Sequence, residues 1–363
     1  MSHCHLDHTG LLPYLRQDLP VFTSSDTYHM LQALDAVSDG PRTPLAYRPT
    51  PPETWVEFGP LRLQFVHVDH GTPGASAIFI ETPDMRFVYS GDLRLHDLHS
   101  EETQNFIARA RAFRPHVLLI EGTRANDLDS DSKNVSELDV LQGVLAQAQQ
   151  AIAGLYFTAY ERHPERLRAF SEAARATNRT LVLDPATAYL YHHFEGVSDF
   201  SVWKEDESTQ PAPLTAWLQV AGIPQIGRSE VRGNERAFLA QIRYERLHYF
   251  VDIVPQQAGR YLHSDGTPLG PFQPAWSNLM RWLEHFSLEF VPMSSSGHAT
   301  LRDVTAMIEQ IHPDVCMPLH SLIPSRVGSP LVPRLLPDRH CPYSLNDVWS
   351  AVPPTTAELT NFG

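Results

Sequence analysis

Short apolar runs, alternating or continuous, dominate the first third of the chain. Leu61, Leu63 and Phe65 alternate with polar residues, which is typical of a strand with one buried face. Further patterns indicate three more strands and two helices: 77–80, 86–89 and 117–120 for the strands, about 9–17 and 26–37 for the helices. We therefore predict a sheet-rich first block with helices beside it.

The pattern changes after a polar segment at 125–134, which we interpret as a linker. Apolar residues then recur at helical spacing over 138–152 and are followed by an apolar run of strand length. The complete succession of predicted elements is a helix, strand, helix and strand: 138–152, 155–158, 164–176 and 181–184. Strand, helix and strand at this spacing predict a βαβ unit on a parallel sheet. The segment contains no Gly-x-Gly-x-x-Gly, so we expect no dinucleotide.

Beyond a predicted strand at 288–291, the chain is expected to return to the first block. Leu301, Val304 and Ile308 line one face of a predicted helix over 301–311, and a strand over 315–319 ends at His320. The predicted organisation is therefore a first block, an insertion and a returning segment with a proline-rich tail: 1–124, 125–287 and 288–363.

Bulk properties narrow the class of protein. At 363 residues the chain is long for one core, and no run of 18 apolar residues predicts a membrane span. We expect no signal peptide, and three cysteines without a pairing pattern favour a reduced, cytoplasmic protein. A net charge of -14 argues against nonspecific nucleic-acid binding by the whole surface, although it leaves room for a local basic groove.

The start of the chain carries the clearest chemical signal, since His3, His5, Asp7 and His8 are four potential metal ligands within six residues. Mixed imidazole and carboxylate ligands, without any Cys-x-x-Cys, favour an open hydrolytic site over a closed structural zinc site. The alternative is a histidine-rich segment that binds metal by chance. Matching ligand types further along the chain argue against that alternative.

This segment resembles the His-x-His-x-Asp-His signature of the metallo-β-lactamase fold. Five later segments, in order, look like the remaining lactamase-fold motifs and motifs A, B and C of the β-CASP nucleases: 65–76, 87–95, 118–124, 294–299 and 317–321. Ribonuclease J and the cleavage-and-polyadenylation endonuclease belong to that group. The resemblance covers residues 1 to about 321. It implies an α/β protein, a metallo-β-lactamase αββα sandwich with an inserted Rossmann-like β-CASP domain.

In such proteins several strands precede the first motif and complete the sandwich. Here Met1 stands where the end of a strand is expected. We therefore expect the N-terminal strands to be missing, either because the chain is a fragment or because its start was assigned too late. Without them one layer of the core would be uncovered.

The resemblance also implies a site with two metal ions that share a hydroxide of lowered pKa. It assigns ligands to both ions: His3, His5 and His70 to the first, Asp7, His8 and His320 to the second, and Asp92 as the bridge. Imidazole and carboxylate ligands suit two Zn²⁺, with Mn²⁺ as the alternative. Asp7 and Asp92 thus count as both ligands and catalytic residues.

Two of these assignments leave an alternative, and so does the neighbouring Cys4. His67 lies three residues before His70, but His70 precedes the glycine-rich turn that follows the family's ligand. Asp92 could be an ordinary turn aspartate, and Cys4 could be a soft ligand. We favour His70 and Asp92 as ligands, and Cys4 as packing between two histidines.

Glu121 and His298 match motifs A and B. Glu121 could accept a hydrogen bond from a ligating histidine, or be a surface charge at a strand end. Three serines precede His298 and a helix follows, an arrangement that favours a phosphate, so His298 could bind the scissile phosphate and protonate the leaving 3′-oxygen. The alternative is a helix-capping histidine.

His320 matches motif C, where RNA-acting members have histidine and many DNA-acting members, such as Artemis-type nucleases, have valine. The resemblance therefore favours single-stranded RNA over DNA as substrate, cut from an end by an exonuclease or internally by an endonuclease. A core histidine is the alternative at this position. Monomer and homodimer both stay open.

Two rival functions remain. One is a small-molecule hydrolase of the same fold, against which the insertion and the Ser-Gly-His-Ala segment argue. The other is an inactive scaffold subunit of an RNA-processing complex, which loss of metal ligands would indicate.

Overall fold

The structure is a computed structural model that describes residues 1–38, 40, 44–126 and 134–350. Most of the predicted polar linker, 127–133, and the end of the tail, 351–363, lie outside the described residues.

Within its described residues, the first block contains seven strands and three helices. In chain order they are α1 (Leu6–Thr9), β1 (Pro20–Ser24), α2 (Ser25–Ala36), β2 (Ala46–Thr50), β3 (Val56–Phe58), β4 (Leu61–His67), β5 (Ser76–Glu81), β6 (Arg86–Tyr89), α3 (Ser100–Phe113) and β7 (Val117–Glu121). The predicted helix over 9–17 is wrong, because α1 ends at Thr9 and only a 3₁₀ turn, Leu12–Tyr14, follows. Gly10 and Pro13 disfavour a continuous α-helix there.

The insertion alternates strands and helices, as its sequence predicts. It contains α4 (Glu137–Gln150), β8 (Leu155–Ala159), α5 (Leu167–Ala176), β9 (Thr180–Leu183), α6 (Pro185–Glu195), β10 (Ser201–Trp203), α7 (Ala212–Ala221), β11 (Gln225–Ile226), α8 (Arg228–Val231), β12 (Phe238–Gln241), α9 (Tyr249–Ile253), β13 (Arg260–Ser264), α10 (Pro274–His285) and β14 (Glu289–Pro292). The returning segment adds α11 (Leu301–Ile311), β15 (Val315–Leu319) and α12 (Leu345–Ser350).

One sheet carries the first block and the returning segment. Its six strands lie in the order β15-β7-β6-β5-β4-β3. Neighbouring strands pair in parallel from β15 to β6 and antiparallel from β6 to β3. Apolar residues of α3 and α11, including Phe106 and Ile308, pack in one core with strand residues such as Val88 and Leu118. A second, two-stranded parallel sheet pairs β1 with β2.

The insertion forms a seven-stranded parallel sheet in the order β11-β10-β9-β12-β8-β13-β14. The strand predicted at 288–291 corresponds to β14, which pairs with β13 in this sheet. Its apolar pattern identified a strand but could not specify which sheet would accept its hydrogen bonds. The expected α/β fold class, with a parallel sheet in the insertion, is confirmed.

A buried network of charges joins the two sheets. Arg94 lies within 3.1 Å of the carboxylates of Asp69, Asp97 and Glu137. Arg166 of the insertion also contacts Glu137, the first residue of α4. Glu137 therefore joins one arginine from each side of the junction.

Among the described residues, no helix combines the length and the apolar character that crossing a membrane requires.

Candidate metal centre

Strand directions bring the predicted site residues to one edge of the six-stranded sheet. His70 and Asp92 follow β4 and β6, Glu121 ends β7, and His320 follows β15. These four strands run in the same direction, so their carboxyl ends meet at that edge. The N-terminal segment reaches it through a hydrogen bond from the Ser76 amide to the Ser2 carbonyl. His298 precedes α11.

The first predicted ligand set, His3, His5 and His70, forms a compact group. Nε2 of His70 lies 3.0 Å from Nδ1 of His5, and the three rings offer nitrogens that all lie within 4.8 Å of one another. Burial lowers the pKa of His5 to about 3 and the pKa values of His3 and His70 well below the usual value. Neutral imidazoles are the form that binds metal.

The second set contains Asp7, His8, Asp92 and His320, whose ligand atoms also lie within 4.8 Å of one another. Nε2 of His320 is 3.0 Å from Asp7, and Nε2 of His8 is 3.1 Å from Asp92. The hydrogen bond with Asp7 raises the pKa of His320 to about 9, while the pKa of Asp7 is lowered chiefly by the same bond. In this structure His320 and Asp7 therefore form a hydrogen-bonded ion pair.

Asp92 lies between the two sets. Its Oδ2 atom is 3.1 Å from Nε2 of His8 in one set and 3.8 Å from Nε2 of both His3 and His70 in the other. Burial by itself would raise the pKa of Asp92, but the hydrogen bond from His8 and the neighbouring imidazoles lower it below its usual value. A buried carboxylate between two groups of ligands is suited to bridge two cations.

Unpartnered buried atoms in this cluster fit a divalent metal. Within the described ranges, Nε2 of His3, Nε2 of His5 and Oδ1 of Asp92 are buried without a hydrogen-bond partner. Buried polar atoms without partners are costly, and metal coordination would satisfy such groups. The lactamase-type fold and these histidine and aspartate clusters together indicate divalent-metal binding.

The structure separates the competing residues from the cluster. Nε2 of His67 lies 3.3 Å from Asp26, whereas His70 lies with His3 and His5. The Cys4 side chain is buried, and its Sγ atom lies 3.1 Å from Oγ1 of Thr72. Cys4 is thus placed as the packing interpretation predicts.

Hydroxyl and carbonyl groups around the cluster orient its rings, and sequence reasoning missed them. Oγ of Ser2 lies 3.1 Å from Nδ1 of His3 and 3.4 Å from Nδ1 of His8. Oγ1 of Thr123 lies 2.7 Å from Nδ1 of His320, and Nδ1 of His70 lies 2.6 Å from the Gly297 carbonyl. Contacts of this kind fix the tautomer of ligating histidines. Ser2 and Thr123, hydroxyl residues beside two of the motifs, were the available signal.

Glu121 and His298 form a pair beside the second set. Both carboxylate oxygens of Glu121 lie 3.0 Å from Nδ1 of His298, so Glu121 pairs with His298 instead of with a predicted ligand. Burial disfavours the charged imidazole, but the charge and hydrogen bond of Glu121 raise the pKa of His298 above its usual value. The N-cap of α11 is Thr300, whose side chain accepts from the Asp303 amide, so His298 does not cap that helix.

The fold and the site's geometry can now be compared with known proteins. Residues 1–158 match the sequence profile described as "Beta-lactamase superfamily domain". The expected resemblance to ribonuclease J-like nucleases is confirmed by the relatives that follow.

The chain is similar to ribonuclease J of two organisms. It is 24% identical to that of Methanocaldococcus jannaschii over 345 residues, covering 88% of this chain and 74% of the relative. It is 23% identical to that of Sinorhizobium meliloti over 362 residues, covering 92% and 61%. A crystal structure of a protein of unknown function from Enterococcus faecalis V583 superposes with a TM-score of 0.76 at 27% identity, covering 93% of this chain and 79% of that one.

Proposed function

We propose that the protein hydrolyses phosphodiester bonds of single-stranded RNA in a reaction that depends on two divalent metal ions, preferably zinc. The position of Asp92 carries the proposal, because one carboxylate contacts both ligand sets beside the Glu121–His298 pair. Such a cluster can neutralise a phosphate and leave a proton donor at its side.

His3, His5 and His70 would hold one ion, Asp7, His8 and His320 the other, and Asp92 both. When bound, divalent ions supply a nucleophile at neutral pH and neutralise phosphate charge. Ser2 and Thr123 then keep the imidazole rings of His3, His8 and His320 in orientation through their hydroxyls.

His298 supplies the proton for the leaving 3′-oxygen in this proposal. The charge and hydrogen bond of Glu121 raise the pKa of His298, which favours the protonated ring, and Glu121 holds that ring by its Nδ1 atom. The other ring nitrogen, Nε2, is the one that would donate to the leaving oxygen.

RNA is favoured over DNA by His320 at the third nuclease motif and by the similarity to proteins named ribonuclease J. We propose that the insertion begins near residue 125 and ends near residue 293. The substrate strand would lie between it and the lactamase-type domain. The same assay that tests the function also distinguishes cleavage from the 5′ end from internal cleavage.

The test combines metal analysis with cleavage of a 5′-labelled single-stranded RNA by wild type, Asp92→Ala and His298→Ala. His285→Ala, an exposed histidine on α10, is the matched control. We expect about two zinc ions per chain and RNA cleavage in wild type and control. Asp92→Ala should lose metal and cleavage, whereas His298→Ala should lose cleavage and keep the metal.

Two results would contradict the proposal. Bound zinc without cleavage of RNA or DNA would favour a small-molecule hydrolase of the same fold. A wild-type protein that neither retains added zinc nor cleaves RNA would end the metallo-ribonuclease interpretation.

A further inference from the structure

A basic groove lies at the edge of the six-stranded sheet opposite the metal centre. Its volume is about 810 Å³, and its lining includes Arg86, Arg111 and Arg114 together with His116 and His312. Arg86 begins β6, and the groove lies beside the first residues of β7 and β15 as well. The same three strands therefore carry the groove at their amino ends and the metal centre at their carboxyl ends.

The three arginines of this basic groove are not committed to carboxylates. Within the part of the chain that the structure describes, none of them lies within 4.0 Å of an Asp or Glu oxygen in an ion pair, whereas Arg62, Arg94, Arg166 and others do. Asp314 is the one carboxylate residue among the groove's described lining. In a protein with a net charge of -14, such a local excess of positive charge selects for anions.

Two of the side chains that line the groove stand on left-handed backbone. Arg114 and His312 are the C-caps of α3 and α11, and both have left-handed backbones, with φ of +53° and +54°. Glycine is the residue that this position usually carries, because any Cβ is disfavoured there. Here both positions instead present a cationic or titratable side chain to the same groove.

The chemistry of the groove fits a phosphate backbone. Arginine binds phosphate oxygens with two parallel hydrogen bonds, and Arg111 and Arg114 are both exposed. Arg86 donates from Nε to the Arg114 carbonyl, 2.9 Å away, which holds these two residues together. The carboxyl ends of α3 and α11 carry partial negative charge. This charge opposes the binding of an anion, and the arginines offset it.

We infer that this groove binds the phosphate backbone of single-stranded RNA at a point remote from the metal centre. The inference rests on the proposed function for the identity of the polymer. From Arg86 to Asp92 the chain runs roughly 20 Å along β6 and its following loop. A long strand can therefore contact both places, whereas a tetranucleotide at the metal centre cannot reach the groove.

The experiment measures RNA affinity by fluorescence anisotropy with chelator present, so that no cleavage occurs. The probes are a single-stranded RNA of about 30 nucleotides and a tetranucleotide. The test variant is Arg111→Glu/Arg114→Glu. Its matched control is Arg232→Glu/Arg236→Glu, two exposed arginines of the insertion that form no ion pair within the described residues. Both pairs change the net charge equally.

We expect the test variant to raise the Kd of the long RNA about tenfold at low salt relative to the control. The slope of log affinity against log salt should become shallower by about 1.4, for two lost contacts at about 0.7 each. The loss of affinity should be smaller for the tetranucleotide, because a strand that short cannot contact the groove and the rest of the protein surface together.

Two further variants distinguish a loss of RNA contacts from a loss of folding. Asp314→Asn removes the groove's carboxylate and should strengthen binding of the long RNA about twofold, an effect that misfolding cannot imitate. Arg114→Gly removes the Cβ that a left-handed backbone disfavours. This variant should bind long RNA more weakly without a lower Tm.

Equal affinity of the two double variants for the long RNA would overturn the inference and leave the arginines as stabilisers of two helix ends. This outcome is separate from failure of the proposed function, which is measured by cleavage with metal present. A wild type that binds long RNA through the groove but never cleaves it would contradict only the proposed function. A wild type that does not bind RNA would contradict both.

Discussion

At the scale of single residues, uncharged neighbours contact the imidazole rings of the candidate centre. Ser2 contacts two imidazoles through one hydroxyl, and Thr123 contacts a third. Because each contact engages Nδ1, it directs the opposite nitrogen of the ring into the cluster. These contacts make the ring orientations testable apart from the ligands themselves.

Ser2→Ala should lower the affinity for zinc about 10- to 100-fold, because His3 and His8 both lose a partner that orients them. Competition with a chromophoric chelator measures this affinity. Ser277→Ala, an exposed serine of α10, is the control and should leave it unchanged. Equal zinc affinity in wild type and Ser2→Ala would show that the Ser2 hydroxyl does not orient the ligands.

Glu121→Gln should lower kcat by about 10- to 100-fold with the metal content unchanged, because His298 loses the charge that raises its pKa. Steady-state kinetics on a labelled RNA, with zinc analysis, checks this. If the two residues act as one unit, Glu121→Gln/His298→Gln should be no slower than His298→Gln alone. Fully additive losses would mean that Glu121 acts separately.

At the scale of elements, the start of α4 joins the insertion to the first block. Ser136 and Asp139 form a capping box that fixes the first turn of this helix. That turn presents Glu137 to Arg94 and Arg166, one from each side of the junction. The orientation of the insertion therefore depends on a buried carboxylate.

Because of Glu137, we expect the free energy of unfolding to depend on pH in the acid range. Burial alone would raise its pKa, but His163 and the two arginines lower it to about 2 from an ordinary value of 4.5. Its contribution is therefore present above pH 4.5 and is lost as the pH falls from 4.5 towards 2. Between pH 5 and pH 3 this loss is about 2 kcal/mol.

Urea unfolding of wild type and Glu137→Gln at several pH values checks this expectation. The variant should be less stable at pH 7 but lose about 2 kcal/mol less between pH 5 and pH 3. Glu57→Gln, which changes an exposed carboxylate on β3, should follow wild type. Parallel pH profiles for wild type and Glu137→Gln would refute the linkage.

At the scale of the whole molecule, the predicted ligands come from distant parts of the chain. His320 and Asp7 are 313 positions apart and their side chains lie 3.0 Å from each other. An unfolded chain cannot hold such ligands together, so a metal that binds the folded cluster must stabilise the whole fold.

Adding zinc to chelator-treated protein should therefore raise its Tm. At 100 times Kd the expected stabilisation is about 2.7 kcal/mol per ion. Differential scanning fluorimetry measures the change, and Asp92→Asn should show a smaller increase because Asp92 contacts both ligand sets. A Tm that does not respond to zinc would contradict the metal centre.

The amino-acid sequence by itself determined the types of candidate ligand and the class of fold. The ordered motifs predicted residues that the structure brings together in the cluster, and apolar periodicity predicted most strands and the βαβ insertion. These features are local, because residue type sets ligand chemistry and the spacing of apolar residues sets the period of an element. The helix over 9–17 failed for a local reason too, namely Gly10 and Pro13.

Only the tertiary structure decided which groups meet. It placed Asp92 between the two ligand sets, paired Glu121 with His298, moved β14 into the insertion sheet and gathered Arg86, Arg111 and Arg114 at one groove. Each of these contacts joins segments far apart in sequence. They depend on strand order and on packing across the junction, which the pattern of a single segment does not encode.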